Sequence, residues 1–414
     1  MRTRTRRAAA TAVLLPLLAA AVGCQAAGTR GKPAAEAPSP TGKPVYEEKL
    51  ADQLNAAARA TAATGSARFT ATLSYGSAEG TAVETTTGVL DYARDSARVT
   101  RSYVVPRGFP EDTATELGLP SGARDPQVFA VEENDVGYRT ARGTWLRYDA
   151  SGSKEFTDGV GEILALAGES EPWGGTLADV VRHADPERAP RTGADGRRTY
   201  RVDVYGRSLT DLLPAGIRYA SRDARTPGEV PVTVVLDKDG RLLSAEADYA
   251  PLLRGLRGAG VLRGVTSLRA TYTLTGHGGQ TVPGIPAGER TEDAERVTAA
   301  LVEVKPGACA STDTGLGSAD RLVRPVACGK DADVRVFAVQ RVDETYRNKD
   351  PQGLGRALAA ARCREDLRTV PAAWTRDARP AGTYQVGGTE TVSYGYTGPE
   401  ATVSGDFVCY VTLR

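Results

Sequence analysis

The sequence predicts an α+β fold: a strongly curved antiparallel sheet with its apolar face covered by helices, then a small α+β domain held by disulfides. Three observations predict it. Stretches in which apolar and polar residues alternate recur through the first two thirds of the chain, the mark of strands with one buried face. Patterns with helical spacing precede and interrupt those strands, which is what a one-faced sheet needs for cover. Four of the five cysteines are confined to residues 309–409, a spacing that suits a stapled module.

Composition narrows the function. The chain has 414 residues, with 46 Gly, 24 Pro and 16 Tyr, a turn-rich and strand-favouring mixture long enough for two or three domains. Lys and Arg number 52 against 51 Asp and Glu, and four of the arginines fall in the first 23 residues, so the remainder carries a net charge of −3. That balance excludes a protein whose main partner is nucleic acid, which needs a cationic excess to displace counterions. One Met, two His and five Cys leave little material for a metal or redox centre, and no cofactor is expected.

The chain opens with Arg2, Arg4, Arg6 and Arg7, then an apolar run from Ala8 to Val22 broken by Pro16. The run is too short to span ~30 Å of hydrocarbon comfortably and reads as a secretory signal. It ends in Ala21-Val22-Gly23-Cys24, which resembles a bacterial lipobox, although Ala21 stands where Leu is commoner. The resemblance implies cleavage before Cys24, acylation of its thiol (diacylglycerol and palmitate-type chains), and residence on the extracytoplasmic face of the cell membrane. Two or three acyl chains, each CH₂ contributing ~0.8 kcal/mol, would anchor a protein stably. Residues 1–23 are thus the signal peptide and 24–43, rich in Ala, Gly, Pro and Ser, a flexible tether.

The first folded domain is expected over 45–286. Tyr46 to Ala63 has helical spacing, with Leu50 and Leu54 on one face and Gly65 as a stop. The period then becomes two. Phe69, Ala71 and Leu73 share a face; Ala97, Val99 and Tyr103 share another, interrupted only by Arg101. Tyr200, Val202 and Val204 alternate likewise, and helical patterns interrupt the strands near Lys154–Ala167 and Arg207–Leu213. Val230, Val232, Val234 and Leu236 lead into Asp237-Lys238-Asp239-Gly240, and Leu243, Ala245, Ala247 and Tyr249 lead out. Asp-Gly supplies the positive φ of a hairpin turn. The two aspartates could open a calcium loop, but no acidic residue follows at the required spacing. Leu268, Ala270, Tyr272 and Leu274 complete the set.

Between domains, the Pro- and Gly-rich Thr281–Glu295 stretch reads as a linker ending in a short helix, and residues 287–301 are set as the linker between the two domains. The second domain spans 302–414. Val334, Val336 and Ala338 alternate; Ala360, Cys363 and Leu367 share a helix face with Leu354 and Leu358 upstream; Phe407, Cys409, Val411 and Leu413 alternate as a closing strand. Behind an export signal, Cys309, Cys328, Cys363 and Cys409 imply two disulfides, with three connectivities open. No C-x-x-C or Cys/His spacing supports zinc instead.

Two family resemblances follow from quoted segments. "TGSARFTATL", "GVLDYARDSARV", "DVGYRTARGTWLRYD", "GRRTYRVDVYG" and "VPVTVVLDKDGRLLSAEADY", in that order behind a lipobox and a helix, resemble the LolA/LppX-like lipoproteins. That resemblance implies a half-open antiparallel β-barrel closed by helices, carrying a lipid or lipidated ligand in an apolar cavity, with no fixed catalytic residues. Its candidate wall is the inward set Phe69, Leu73, Val232, Val234, Leu268 and Tyr272. "PGACAS", "VRPVACGKDADVRVFAV", "ALAAARC" and "SGDFVCYV" resemble the septum-formation-type four-cysteine domain, with Lys330–Asp333 where such domains often carry a His. Its cysteine order, together with position, implies Cys309–Cys328 and Cys363–Cys409.

The expectation is a non-catalytic, lipid-anchored envelope protein that binds or carries a hydrophobic ligand. Neither His183 nor His277 sits in a nucleophile motif, and no G-x-S-x-G, Walker or G-x-G-x-x-G element appears. The alternative is an envelope scaffold with a solid-core barrel, contacting wall or division proteins. Periodicity is the same for a hollow and a filled sheet.

Overall fold

The computed structural model describes residues 43–413 apart from 111–112, 115–116, 118–124, 133–134, 150–175, 211, 214–216, 218–228, 259, 316–321, 348–350, 352, 380–381, 389 and 395–399. Cys24 and the Lys154–Ala167 pattern therefore lie outside the described residues.

Twelve strands form the first sheet. In chain order they are β1 (Ser66–Ser77), β2 (Gly80–Asp91), β3 (Ser96–Val104), β4 (Gln127–Glu132), β5 (Asp135–Arg139), β6 (Trp145–Asp149), β7 (Arg191–Thr192), β8 (Arg198–Tyr205), β9 (Glu229–Leu236), β10 (Leu242–Asp248), β11 (Ser267–Thr275) and β12 (Thr291–Asp293). Their spatial order is β12-β6-β5-β4-β3-β2-β1-β11-β10-β9-β8-β7. Every pairing is antiparallel except β12 on β6. The sheet does not close on itself, since β12 and β7 end the path. A sheet this wide accumulates enough right-handed twist to curl, and the strands bury alternate residues toward one continuous core.

Helices pack on that buried face: α1 (Gln53–Ala62), α2 (Leu177–Val181), α3 (Gly206–Thr210) and α4 (Ala250–Gly258). Thr176 caps α2 through a reciprocal pair with Asp179. No described helix is long and apolar enough to cross a membrane.

Two differences from the sequence pattern have local causes. The helix expected from Tyr46 begins only at Gln53, because Glu48 and Lys49 are extended and leave two short 3₁₀ turns. Tertiary contacts hold that arrangement. The Tyr46 hydroxyl donates to the Asp237 carbonyl, and the Arg198 guanidinium lies 3.6 Å from the Tyr46 ring centroid. In β10 the register shifts between Leu242 and Ser244. A bulge adds one residue to one strand and flips what precedes it, so Leu242, not Leu243, is buried with Ala245 and Ala247. The Leu242 N–H is accepted by Thr61 Oγ1 at 2.9 Å, which ties the bulge to α1. The Asp237–Gly240 turn behaves as turn chemistry. Asp237 Oδ1 accepts from the N–H groups of Asp239 and Arg241 at 2.9 and 2.8 Å, and Gly240 takes φ +83°.

The second sheet has seven strands: β13 (Ala299–Ala300), β14 (Cys309–Ser311), β15 (Leu322–Val326), β16 (Val334–Arg347), β17 (Gln385–Gly388), β18 (Thr391–Tyr394) and β19 (Glu400–Thr412). Its order is β13-β15-β14-β16-β19-β17, with β18 also on β19. The short helix α5 (Ala294–Val297) precedes it, while α6 (Leu354–Asp366) and α7 (Ala372–Thr375) lie within it. A bulge between Val336 and Ala338 sends Val336 to one face, with Ala310, Val408 and Tyr410. It sends Phe337 to the other, with Cys363, Cys409 and Val411. Ala338 is consequently only half-buried. On α6 the buried pair is Ala359 and Cys363 rather than Ala360 and Cys363. The structure joins Cys309 to Cys328 and Cys363 to Cys409; the second bridge is fully buried between α6 and β19.

The stretch expected to be a linker takes part in both sheets. β12 pairs with β6, and Leu322 of β15 belongs to the same core as the first sheet. Asp313 closes the junction: it accepts from the Tyr138 hydroxyl at 2.5 Å and from the Ala141 N–H at 2.8 Å. The Tyr148 hydroxyl donates to the Thr314 carbonyl at 2.6 Å. Asp331 pairs with Arg142, and Asp333 accepts from the Ser311 hydroxyl and the Thr312 N–H. Within the Lys330–Asp333 stretch, Asp331 thus ties the second domain to the first through Arg142, while Asp333 braces β14 of its own sheet.

Candidate ligand site on the concave face

The antiparallel registers arrange the inward side chains in rows across β3, β2, β1 and β11. One row runs Val99, Gly88, Phe69, Leu274; the next runs Arg101, Thr86, Ala71, Tyr272; the next runs Tyr103, Glu84, Leu73, Ala270. Glycine at 88 is required, because a Cβ there would lie 2.5 Å from the Phe69 ring. Phe69 stacks with Tyr272 at 5.9 Å between centroids, 19° apart.

Where these rows meet α2 and Leu212, a cleft of about 80 Å³ remains. Its walls are Phe69, Ala71, Leu73 and Ala270 from the sheet, Leu177 from α2, and Leu212, with Glu84, Thr86 and Arg101 along one side. A second, smaller cleft of about 20 Å³ lies between α1, α2 and Val234, Leu236 and Leu242. The six residues of the sequence-derived wall therefore separate. Phe69 and Leu73 line the larger cleft, Val234 the smaller one, while Val232, Leu268 and Tyr272 are fully packed in the core. Val232 faces Val202 and Ala247 across its neighbours.

The apolar wall is interrupted by an ion pair. Arg101 Nε lies 3.3 Å from Glu84 Oε1, and both side chains are 16% exposed. Burial disfavours the Arg101 charge, yet Tyr103 and Glu84 more than offset this, so the guanidinium titrates above its ordinary range. It also lies 5.6 Å from the Phe129 ring centroid. Tyr75, the next inward residue of β1, is completely buried, and its phenol is pushed well up by burial and then by Glu84. The alternation pattern flagged Arg101 as the odd residue of β3; nothing in the pattern indicated its partner or its place at a cleft.

The two histidines stand apart from this cleft. Arg182 Nε donates to His183 Nε2 at 2.9 Å. His277, half-buried after β11, is pushed down by burial and by Arg241.

No protein-family model matches the sequence, and no curated protein matches it. Several solved structures align loosely. A complex of MucA and MucB from Pseudomonas aeruginosa aligns at 13% identity over 86% of this chain and 93% of that one, with a TM-score of 0.23. A DUF1329 family protein from Desulfovibrio piger aligns at 10% identity over 55% and 92%, with a TM-score of 0.22. A domain from Vibrio parahaemolyticus described as an outer membrane lipoprotein-sorting protein aligns at 10% over 54% and 90%, with a TM-score of 0.19. TM-scores this low assign the chain neither a family nor a role.

Proposed function

We propose that this chain is a lipid-anchored protein of the bacterial envelope that binds a hydrophobic ligand on the concave face of its half-open sheet and performs no catalysis. The observation that carries the reading is the cleft in the middle of the buried face, whose apolar part is Phe69, Ala71, Leu73, Leu177, Leu212 and Ala270 and whose polar side carries Glu84, Thr86 and Arg101. Pockets that enclose a whole drug-sized ligand begin near ~300 Å³, so about 80 Å³ encloses only the end of a chain or one apolar group. Cys24, acylated after cleavage of residues 1–23, would hold residues 45–286 and 302–414 at the membrane through the 24–43 tether.

Titration with the apolar fluorophore N-phenyl-1-naphthylamine tests the binding. Ala71→Phe fills the cleft from its wall, and it should abolish the fluorescence enhancement while leaving the melting temperature within a few degrees. Equal enhancement in both proteins refutes the site.

A second reading, an envelope scaffold that contacts wall or division proteins, is favoured by one observation. Val232, Leu268 and Tyr272 are buried in the core and line neither cleft, while Asp313 and Leu322 tie the second sheet to the first. In that case neither protein responds to the fluorophore.

A further inference from the structure

The first sheet ends in an edge that its own chain leaves largely open. β7 closes the path on that side, yet it covers only Arg198 and Thr199 of β8. On its inner side β8 pairs with β9 along its whole length, Arg198 to Tyr205. Among the described residues, no strand pairs with the outer side of β8 from Tyr200 to Tyr205. Two observations show which backbone groups that edge presents. The Arg197 carbonyl accepts from the Gly193 N–H of the β7–β8 turn at 2.8 Å, and successive residues of a strand point their backbone groups to opposite sides. Arg201, Asp203 and Tyr205 therefore face outward, as Arg197 does, while Tyr200, Val202 and Val204 bond to β9. Pro231 agrees with this: it lacks an N–H and stands opposite Asp203, a pair that exchanges no ladder bonds. The side chains of Arg201, Asp203 and Tyr205 lie on the solvated face. Tyr205 is 72% exposed, and no ion pair among the described residues involves Arg201 or Asp203.

We infer that β8 pairs antiparallel with β8 of a second copy of this chain, about a two-fold axis at Val202, and so joins two first sheets edge to edge. An open edge strand is a template for another chain, and a two-fold axis makes one patch complement itself. Charge selects the register. An axis at Arg201 or Asp203 sets like charges directly opposite one another, which destabilises a sheet, and an axis at Val204 pairs neither charge with its opposite. An axis at Val202 sets Arg201 opposite Asp203 twice. Each of those pairs also exchanges two backbone hydrogen bonds, because both residues present N–H and C=O outward. The pairing runs over residues 200–204 and stops where β7 covers Thr199, which leaves Tyr205 against the end of the other copy's β7. Charges on an edge strand ordinarily keep other chains off. Here they alternate in sign, so they oppose the neighbouring registers and favour a copy of themselves in one. The interface uses the edge and the solvated face, not the cleft, and stands or falls separately from ligand binding.

Sedimentation equilibrium of the full chain in density-matched detergent tests this, with circular dichroism showing that each variant is folded. The parent protein should show a concentration-dependent equilibrium between monomer and dimer. Arg201→Asp alone, or Asp203→Arg alone, replaces both opposite-charge pairs by like-charge pairs and should weaken dimerisation at least about tenfold. An equimolar mixture of the two single variants should dimerise again, since each acidic position of one then faces a basic position of the other. Both changes in one chain should likewise restore self-association, because the two charges have only exchanged places. A parent protein that stays monomeric at every concentration overturns the inference. So does a dimer that the single changes leave intact, as chains merely sharing a micelle would give, or a defect that neither the mixture nor the double variant repairs.

Discussion

Asp313 offers a sharp test of how the two sheets are joined. Its carboxylate takes a hydrogen bond from a phenol that is 5% exposed and a second from the Ala141 N–H, which is exposed. Asp313→Ala removes a bond to a charged acceptor, a class that contributes about 1.5–3 kcal/mol, and strands the buried Tyr138 hydroxyl. The exposed Ala141 N–H regains water and adds little, so the total should be about 2–3 kcal/mol. Tyr138→Phe leaves Asp313 with Ala141 and with solvent on its half-exposed side, and should cost about 1 kcal/mol. The double variant should then show a coupling of about 1–2 kcal/mol, because the second change removes a group already without its partner. Urea unfolding of the four proteins, followed by near-ultraviolet circular dichroism, measures this. Additive effects, within the ~0.5 kcal/mol typical of independent sites, refute the junction as drawn.

Four other outcomes follow from the same reasoning. Cys24→Ala should move the protein from the detergent phase to the aqueous phase or leave uncleaved precursor; identical partitioning contradicts the lipobox. Val232 is 1% exposed in a filled core, so Val232→Phe should cost about 1–3 kcal/mol by overpacking, and an unshifted melting curve would show a hidden void. Burial, and next Tyr200, push the Tyr46 phenol up to about 12, above its unfolded value of ~10. Its stabilisation is therefore fully present below pH ~10 and disappears as pH rises toward 12; a urea midpoint that holds or climbs between pH 10 and 12 would contradict this. The disulfides close sequence separations of 19 and 46, so paired Cys→Ala changes should cost roughly 3 and 4 kcal/mol by loop-closure entropy. Non-reducing peptide maps and melting curves check both pairing and order.

What the sequence made legible was the period of its strands and the location of its turns. The faces of β8, β9 and β11 read directly from alternation, and Gly65 and Gly240 do adopt positive φ where a stop and a turn require it. Alternation failed where one extra residue enters a strand. Leu243 and Phe337 sit at such shifts, and a bulge leaves no signature in hydrophobicity. β12 was invisible for a different reason: Thr-Glu-Asp has no apolar residue to mark it, and its pairing is decided by what lies beside it. The site was legible only as an anomaly. Arg101 broke an apolar face, but the match with Glu84 depends on the β2–β3 register, which local sequence does not encode. Whether the face was filled or hollow could not be read at all, since Val232 in a packed core and Leu73 at a cleft occupy the same kind of alternating position.

The account turns on whether the concave face holds an apolar ligand. Native mass spectrometry of the full chain, released from the membranes of the cells that make it, measures this directly. The account predicts a non-covalent adduct of amphiphile mass on the acylated protein, displaced by N-phenyl-1-naphthylamine and missing from Ala71→Phe. A single adduct-free mass in both proteins, or an adduct that Ala71→Phe retains in full, would contradict it.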